Sequence, residues 1–339
     1  MKILLIGGNG NISWHCTQKL LELGHDVYEL HRGVTYATRR DIHAGAKIIH
    51  ADIRNEKETF QVLAGAEFDA VCDFICYDAV QAQHAVNMFR DKTKQYLVIS
   101  SDVVYERNIS NIPFTEKSKL KNKECASAYI RGKLEMEEVF WKAYQDFGFP
   151  VTIVRPGYTY DTILPVSIGH NCWSAIDKIL KGYPLLIAGD GNSIWNMTNS
   201  RDFAEAFVCL AGRRDCIGEA YDIASDEWIT WNDASEILLQ ALGVEKNRVF
   251  HVPYERALHI PEFQPDDMSY DRMWHNFRTN QKIKETVDGF RAKISLEAGI
   301  RMSLAWLQEK EVRRRIVKKY SDVLDMLYQE YGLQKSRRQ

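Results

Sequence analysis

Short apolar segments that alternate with segments of helical spacing constrain the fold of this chain more than any other feature. The apolar runs predict strands at residues 2–6, 26–30, 47–50, 70–75, 95–100, 150–154 and 220–223. The helical pattern predicts helices at residues 14–23, 56–64, 80–89, 129–147 and 203–211. Because alternating strands and helices join through right-handed crossovers, the sequence predicts an α/β fold with a doubly wound parallel sheet.

After Arg155-Pro156 the alternation weakens, which indicates a smaller and mostly helical C-terminal lobe. Residues 158–199 are rich in Gly, Pro and aromatic residues. We expect residues 1–160 to form the sheet domain, with residues 200–225 returning to it. Residues 161–199 and 226–308 are expected to form a substrate lobe over the open end of the sheet, and residues 309–339 a C-terminal helical extension.

The C-terminal extension has apolar residues at helical spacing between positions 312 and 331, together with basic residues at 313–315 and 318–319. This pattern favours a solvated amphipathic helix that docks on the body of the protein or on a twin subunit. A patch for nucleic acid or a membrane is the alternative.

The composition excludes several classes of protein. The chain of 339 residues is 45% hydrophobic, and its formal net charge of -2 gives no general attraction to nucleic acid or acidic membranes. No apolar stretch is long enough to span a bilayer. The seven cysteines form no Cys-x-x-Cys pair, so we expect reduced thiols in a cytoplasmic protein and no metal site.

A glycine turn directly after the first strand predicts a dinucleotide site and therefore a Rossmann-type sheet. Glycines at such a turn allow the backbone to approach a pyrophosphate, and the N-terminus of the next helix then faces this anion. Ser13 stands where a third glycine is often found, and it is still small. The expected cofactor-binding residues of the turn are Gly7, Asn9, Gly10, Asn11 and Ile12.

The end of the second strand bears on the choice between NAD and NADP. An Asp or Glu at this place would bind the ribose hydroxyls of NAD, but the strand ends in Leu30-His31-Arg32. Arg32 is suited to pair with the 2′-phosphate of NADP, and a loose surface arginine is the alternative. Asp52 and Ile53, after the third strand, are expected to meet the adenine, unless Asp52 caps a turn instead.

Tyr129 and Lys133 lie one helical turn apart and therefore share a face of the predicted helix. A free tyrosine, with a pKa near ~10, is a poor base at neutral pH, but a neighbouring cation favours the phenolate. Tyr129 is then suited to move a hydroxyl proton while the carbon exchanges a hydride with a nicotinamide. Ser101, after the fifth strand, would hold the substrate oxygen.

These motifs make the chain similar to the extended branch of the short-chain dehydrogenase/reductase superfamily, which contains nucleotide-sugar epimerases and dehydratases. The resemblance runs from Met1 to about Gln308. It implies that Ser101, Tyr129 and Lys133 are catalytic, that Lys133 also binds the nicotinamide ribose, and that a homodimer forms through the helices after the fourth and fifth strands. Further matches are the runs 104–105, 154–157, 189–191, 201–206 and 231–232. The resemblance also places Pro156 and Gly157 beside the nicotinamide.

Several positions depart from the pattern of this branch. Val103 replaces the glutamate of the dehydratases and cannot remove a proton, which argues against dehydration. Asp102 either assists as an acid or binds backbone. The fourth strand continues as Asp73-Phe74-Ile75-Cys76-Tyr77, which implies a bulkier wall beside the cofactor, with Phe74 in contact with it.

The substrate residues depart as well. Trp195 stands where many nucleotide-sugar enzymes have an arginine for the diphosphate, and residues 264–267 also lack one. Arg272 or Arg278 would have to compensate, with Tyr158 as a further candidate substrate contact. Otherwise the ligand is a less charged sugar, cyclitol or ketone on which Trp195 and Trp173 stack, or both tryptophans are core residues.

The sequence therefore favours an NAD(P)-dependent epimerase or oxidoreductase that acts at a sugar hydroxyl carbon, with a nucleotide sugar as the expected substrate. An NADPH-dependent reductase of another sugar, cyclitol or carbonyl is the first alternative. The second is a cofactor-sensing or RNA-binding protein without catalysis, since some atypical members of the branch bind RNA. The intact set of Ser101, Tyr129 and Lys133 argues against that alternative and against nucleic acid as the partner.

Overall fold

A computed structural model describes residues 1–33, 40–125, 127–169, 172–245, 248–260 and 272–335. Seven parallel strands form the central sheet in the order β11-β6-β5-β4-β1-β2-β3. These strands are β1 (Lys2–Ile6), β2 (Asp26–His31), β3 (Lys47–His50), β4 (Ala70–Asp73), β5 (Tyr96–Ile99), β6 (Val151–Pro156) and β11 (Glu219–Ile223). The direction of winding reverses between β1 and β4, which confirms the predicted doubly wound α/β fold of Rossmann type.

Helices cover both faces of the sheet, because successive residues of each buried strand point to opposite sides. The helices of this domain are α1 (Ser13–Glu22), α2 (Glu56–Val62), α3 (Ala79–Phe89), α4 (Ala128–Phe147) and α6 (Ser200–Leu210). Ile3 and Leu5 of β1 pack with α1 and α6, whereas Leu4 and Ile6 pack with α3 and α4. Side chains cap several of them, as at α4, where the Ser127 hydroxyl accepts a hydrogen bond from the Ile130 amide.

The second lobe contains more strand structure than the sequence predicts. Three two-stranded sheets pair β7 with β10, β8 with β13, and β9 with β12. The strands are β7 (Tyr158–Tyr160), β8 (Leu185–Ala188), β9 (Ile194–Trp195), β10 (Met197–Asn199), β12 (Ile229–Thr230) and β13 (Val249–Val252). The helices are α5 (Ser174–Leu180), α7 (Trp231–Ala241), α8 (Tyr254–Ala257), α9 (Gln281–Thr286), α10 (Leu296–Glu309) and α11 (Lys318–Glu330). The lobe is therefore mostly helical after Thr230, as predicted, whereas its earlier part adds short strands that the sequence did not indicate.

The C-terminal extension is not one continuous helix. A short 3-10 turn spans Glu311–Arg313, and α11 begins only at Lys318. The Trp173 amide bonds the Arg315 carbonyl and the Ser174 hydroxyl accepts from the Val317 amide, so residues 315–317 run extended along the lobe. The apolar face of α11 is buried in the core of the lobe, through Val323, Leu324, Leu327 and Tyr328. The extension is thus docked on the body, as the amphipathic pattern indicates.

Short 3-10 turns complete the described structure, at Asp102–Val104, Ile109–Asn111, Lys123–Cys125 and Arg214–Cys216. Within the described ranges, none of the helices is both long enough and apolar enough to cross a bilayer.

Candidate functional site

A cavity of about 630 Å³ opens at the carboxyl ends of the strands, where the winding of the sheet reverses. This edge is where open α/β sheets bind ligands, because strand ends and helix N-termini meet there. The residues that follow β2 and β3 line one end of the cavity, and the glycine turn lines its middle. Helix α4 and the segment after β6 line the other end. The predicted site residues in its lining are Gly7, Gly10, Asn11, Ile12, Arg32, Asp52, Ile53, Phe74, Ser101, Asp102, Tyr129, Lys133, Pro156, Tyr158 and Trp195.

The glycine turn has a backbone that other residues cannot adopt. Gly7 has a φ of +79°, and a Cβ there would lie 2.8 Å from Ile75 Cγ2. Ser13, in the place of the third glycine, holds the turn together because its hydroxyl donates to the Gly7 carbonyl at 2.6 Å and accepts from the Gly10 amide at 2.7 Å. The predicted contact Asn9 is not among the lining residues, and its buried Oδ1 has no partner among the described residues.

Asn11 connects the glycine turn to the second lobe. Its Nδ2 donates to the Thr159 carbonyl at 3.1 Å, and its Oδ1 accepts from the Thr162 amide at 3.0 Å. The middle of the cavity is therefore bounded by the turn on one side and by residues 159–163 on the other. Thr159 and Ile163 also line the cavity, which the sequence did not predict, since nothing in their spacing indicates proximity to the turn.

Two arginines stand at the end of the cavity that follows β2 and β3. Arg32 lies 3.9 Å from Asp52, measured from Nη1 to Oδ2, and Arg54 lines the same region. The other carboxylate oxygen of Asp52 accepts from the Arg54 amide at 3.1 Å. Asp52 therefore faces the cavity and also caps the turn after β3, and its contact with the adenine stays a prediction.

The opposite end of the cavity brings Tyr129 and Lys133 together on α4. The Lys133 ammonium is buried, donates to the carbonyls of Cys76 at 2.7 Å and Ile99 at 2.8 Å, and lies 6.0 Å from the centre of the Tyr129 ring. Burial lowers the pKa of Lys133 to about 8, although the neighbouring Cys76, Asp73, Glu137 and Asp78 partly offset this effect. The ammonium is thus held beside Tyr129 by the ends of β4 and β5.

Ser101 and Asp102 follow β5 at this end of the cavity. The Ser101 hydroxyl lies 3.4 Å from Asp102 Oδ1, while Asp102 Oδ2 accepts from Asn276 Nδ2 at 2.6 Å and from Arg278 Nη2 at 3.1 Å. The carboxylate of Asp102 is therefore bound by side chains of the second lobe. One alternative given by the sequence was that this carboxylate binds backbone, and the described residues show no such bond. Asn276 was not predicted, because it lies far from Asp102 in sequence.

The two arginines suggested as substitutes for the missing cation do not line the cavity. Arg278 is 1% exposed and lies one layer behind the lining, against Asp102. Arg272 is bound to the Ser167 carbonyl, and its guanidinium lies over the rings of Tyr158 and Trp231. Both stabilise the wall of the site, so direct contact with a substrate diphosphate is not supported for either.

The two tryptophans suggested for stacking have different positions. Trp195 lines the cavity and donates from its indole nitrogen to the Trp274 carbonyl at 2.9 Å. Trp173 is 7% exposed within the apolar core of the second lobe and does not line the cavity. The segment 264–267, which lacks the expected arginine, lies outside the described residues.

The residues of the cavity fit a dinucleotide. The glycines of the turn have no side chains to cover its backbone, and the turn and the first residue of α1, Ser13, both line the cavity, where a pyrophosphate would meet them. Ser100 lines the cavity, and its buried hydroxyl has no partner among the described residues. Gly7, Gly10, Asn11 and Ile12 would hold the pyrophosphate, Asp52 and Ile53 the adenosine, and Lys133, Phe74 and Pro156 the nicotinamide half.

Comparisons with known proteins show the family of the chain. The NAD dependent epimerase/dehydratase family matches residues 3–224. The chain is 27% identical over 281 residues to 2′-dehydrokanamycin reductase of Streptomyces kanamyceticus, and the matched region covers 81% of this chain and 76% of that protein. It is 22% identical over 262 residues to the chloroplast stem-loop binding protein of 41 kDa b of Arabidopsis thaliana, and the matched region covers 74% of this chain and 65% of that protein.

Solved structures share the fold over almost the whole chain. UDP-glucose 4-epimerase from Bifidobacterium longum, in complex with NAD+ and UDP, has a TM-score of 0.73 at 17% identity and covers 92% of this chain and 100% of its own. The family match includes the glycine turn, Ser101, Tyr129 and Lys133. The protein is therefore an enzyme of the NAD dependent epimerase/dehydratase family, with NAD or NADP as its cofactor.

Proposed function

We propose that the enzyme interconverts a hydroxyl and a carbonyl group at one carbon of a sugar or cyclitol, with Tyr129 as the acid and base. The observation that carries this proposal is that Ser101, Tyr129 and Lys133 line the same end of one cavity whose middle is the glycine turn. A hydroxyl, a phenol and an ammonium at the nicotinamide end are the groups that hydride transfer at an alcohol carbon requires.

Lys133, Phe74 and Pro156 would hold the nicotinamide half of NAD(P), and hydride chemistry at the substrate carbon is what the cofactor would supply there. Tyr129 takes the hydroxyl proton in the direction of oxidation and returns it in the direction of reduction. The Lys133 ammonium, fixed by the carbonyls of Cys76 and Ile99, favours the phenolate of Tyr129 electrostatically. Ser101 orients the substrate oxygen through its hydroxyl.

The lining of the substrate end favours a ligand without a diphosphate. Aromatic side chains of Tyr77, Tyr158 and Trp195 contribute to the lining at this end. Within the described residues, Lys133 is the one Arg or Lys there, and carbonyls already hold its ammonium. A sugar diphosphate needs charge-assisted hydrogen bonds that this surface does not offer. The relative from Streptomyces kanamyceticus is named as a reductase of 2′-dehydrokanamycin, and this name also supports a substrate other than a nucleotide sugar.

Epimerisation of a nucleotide sugar is the second candidate, supported by the family and by solved epimerases of the same fold. A panel of keto-sugars, keto-cyclitols and nucleoside diphosphate sugars separates the two candidates. A reductase consumes reduced cofactor in proportion to product. An epimerase interconverts the nucleotide sugars with no net change in the cofactor. Epimerisation without consumption of cofactor would overturn the first candidate.

RNA binding without catalysis has support in the name of the relative from Arabidopsis thaliana. The structure weakens the contribution of the basic extension, because Arg313 is paired with Glu309 and Lys318 with Asp322. A titration with stem-loop RNA at physiological salt tests this alternative. Affinity weaker than about 10⁻⁴ M, the weak end of non-specific binding, would remove it.

We propose that the cofactor is NADP and that Arg32 and Arg54 bind its 2′-phosphate. Both guanidinium-bearing residues line the end of the cavity after β2 and β3, and no acid stands at the end of β2. Hydrogen bonds to charged groups contribute about 1.5–3 kcal/mol each. Because the variant with Arg32→Ala and Arg54→Ala loses two such bonds, it should bind NADPH roughly 100- to 10,000-fold more weakly, as measured by fluorescence of the reduced nucleotide.

The same double variant should bind NADH within about threefold of the unaltered enzyme, because NADH has no 2′-phosphate. Arg301→Ala is the matched control, since Arg301 is half-exposed on α10 and pairs with Glu297. It should leave the affinity for both nucleotides unchanged. An equal loss of NADH and NADPH affinity in the double variant would contradict the assignment to the 2′-phosphate.

We also propose a homodimer formed through α3 and α4, the helices after β4 and β5. Val80 on α3 is 64% exposed, and Tyr144 and Phe147 on α4 are 38% and 40% exposed. Light scattering should give about twice the chain mass of 39.2 kDa, and Val80→Glu should shift the mass toward that of one chain. A single-chain mass for the unaltered protein would reject the dimer.

A further inference from the structure

The ring of Tyr77 covers the Lys133 ammonium on the side of the cavity. The ammonium nitrogen lies 4.6 Å from the centre of the Tyr77 ring, closer than the 6.0 Å to the centre of the Tyr129 ring. The centres of the two rings lie 6.4 Å apart. Tyr77 also lines the cavity and is 40% exposed, whereas Lys133 is buried.

The backbone holds Tyr77 at this place tightly. The Cys76 carbonyl accepts from Lys133, and the Tyr77 amide donates to Gln81 Oε1 at 3.0 Å. Helix α4 approaches the Tyr77 carbonyl so closely that a Cβ on Gly132 would lie 2.5 Å from its oxygen. Gly132 precedes Lys133 directly, so the segment after β4 and the helix with Tyr129 and Lys133 are fixed to one another.

We propose that Tyr77 is a positioning residue of the hydride-transfer site, whose ring keeps the Lys133 ammonium charged and directed toward Tyr129. This inference rests on the proposed function of Tyr129 and Lys133. A cation over the face of a tyrosine within about 6 Å of its centre is attracted by the ring. The ring therefore adds its attraction to the hydrogen bonds that the Cys76 and Ile99 carbonyls make with the ammonium.

Other groups around Lys133 set the background for this effect. Asp73, Cys76 and Asp78 face it from β4 and the segment that follows, and Glu137 lies one turn further along α4. Burial dominates over these neighbours and lowers the pKa of Lys133 to about 8. The ammonium is therefore charged below about pH 8 and loses its proton above it, so a small change in its surroundings moves the charge within the working range of the enzyme.

Tyr77→Leu and Tyr77→Phe form the matched pair that tests the proposal. Leucine keeps the pocket apolar but removes the attraction of the ring, so Lys133 should lose its proton at lower pH. The basic limb of kcat/KM for alcohol oxidation should move from near pH 8 down by about one pH unit. Phenylalanine keeps the ring face, and its profile should stay with that of the unaltered enzyme.

A second measurement does not depend on turnover. The ultraviolet difference between each protein and its Tyr129→Phe counterpart reports the phenolate of Tyr129. In the Tyr77→Leu background this phenolate should form at higher pH, because the neighbouring cation is lost earlier. Thermal unfolding of both variants, followed by circular dichroism, shows whether they are folded. Since Tyr77 is 40% exposed, we expect both to fold.

Two results would overturn the proposal while leaving the proposed function intact. One is a Tyr77→Leu profile equal to that of the unaltered enzyme, with Tyr129→Phe inactive. The other is an equal shift in Tyr77→Leu and Tyr77→Phe, which would assign the effect to the hydroxyl and not to the ring. By contrast, full turnover in Tyr129→Phe would reject the proposed function itself.

Discussion

Tyr129→Phe is expected to lower kcat by roughly 100- to 10,000-fold, the range that general acid and base catalysis contributes. The variant keeps the ring and loses the hydroxyl that would move the proton, while Lys133 remains held by the carbonyls of Cys76 and Ile99. The affinity for the cofactor should change little, because the glycine turn and Lys133 are unaltered. Turnover with the best substrate of the panel, together with a cofactor titration, measures both expectations.

Tyr254→Phe provides the matched control for this prediction. Tyr254 lies on α8, is 40% exposed and lines neither the cavity nor the proposed dimer face. Its loss of a hydroxyl should leave kcat within about twofold of the unaltered enzyme, since surface substitutions rarely disturb a site. If Tyr129→Phe retained full turnover, another group would have to move the proton, and the role proposed for Tyr129 would be excluded.

The sheet could be predicted from the sequence because each of its strands carries its own signal. The run from Lys2 to Ile6 is apolar on both faces, and the structure gives β1 the same bounds as the pattern. The glycine turn, Tyr129 and Lys133 have fixed spacing within or beside such elements. Local spacing therefore predicted both the fold and the two ends of the cavity.

The second lobe could not be predicted in the same way, because its strands are very short and pair over long distances. β9 and β12 have two residues each, too few to show a period. β8 pairs with β13, so Leu185 lies opposite Val249. The helical pattern of the extension failed at residues 315–317 for a related reason, since tertiary hydrogen bonds to Trp173 and Ser174 hold them extended.

The unpredicted parts of the site have the same origin. Asp102 is held by Asn276 and Arg278, which no local pattern connects to it. Tyr77 and Arg54, by contrast, follow β4 and β3 closely, and the rule that ligands bind at the carboxyl ends of strands would have indicated both. The sequence thus indicates which strand ends form the site, whereas the side chains that hold the site residues from behind, such as Asn276 and Arg278, become visible only in the tertiary structure.

Glu137→Gln is expected to lower the free energy of unfolding by about 3 kcal/mol, because it leaves a buried arginine without its counter-charge. Glu137 and Arg155 form a bidentate pair, with Nε to Oε1 at 2.9 Å and Nη2 to Oε2 at 2.6 Å, and their side chains are 1% and 4% exposed. Urea unfolding at neutral pH measures the loss as a lower midpoint with an unchanged slope.

This pair also connects stability to the site. Glu137 lies on α4 one turn after Lys133, and Arg155 on β6 directly precedes Pro156, which lines the cavity. Loosening the pair should therefore displace α4 relative to β6 and lower kcat even in the fraction of enzyme that stays folded. We expect a loss of roughly tenfold or more, since small misplacements of reacting groups reduce rates strongly.

Asp146→Asn is the matched control, because it removes the same charge from an ion pair on the same helix. Asp146 bonds Lys142 at 2.7 Å, but the two side chains are 50% and 76% exposed, so water screens the pair. Exposed pairs contribute about 0–1 kcal/mol, and the unfolding midpoint should barely change. If Asp146→Asn and Glu137→Gln lowered the free energy of unfolding equally, the buried pair would contribute no more to stability than the exposed pair. The proposed coupling of α4 to β6 through Glu137 and Arg155 would then be rejected.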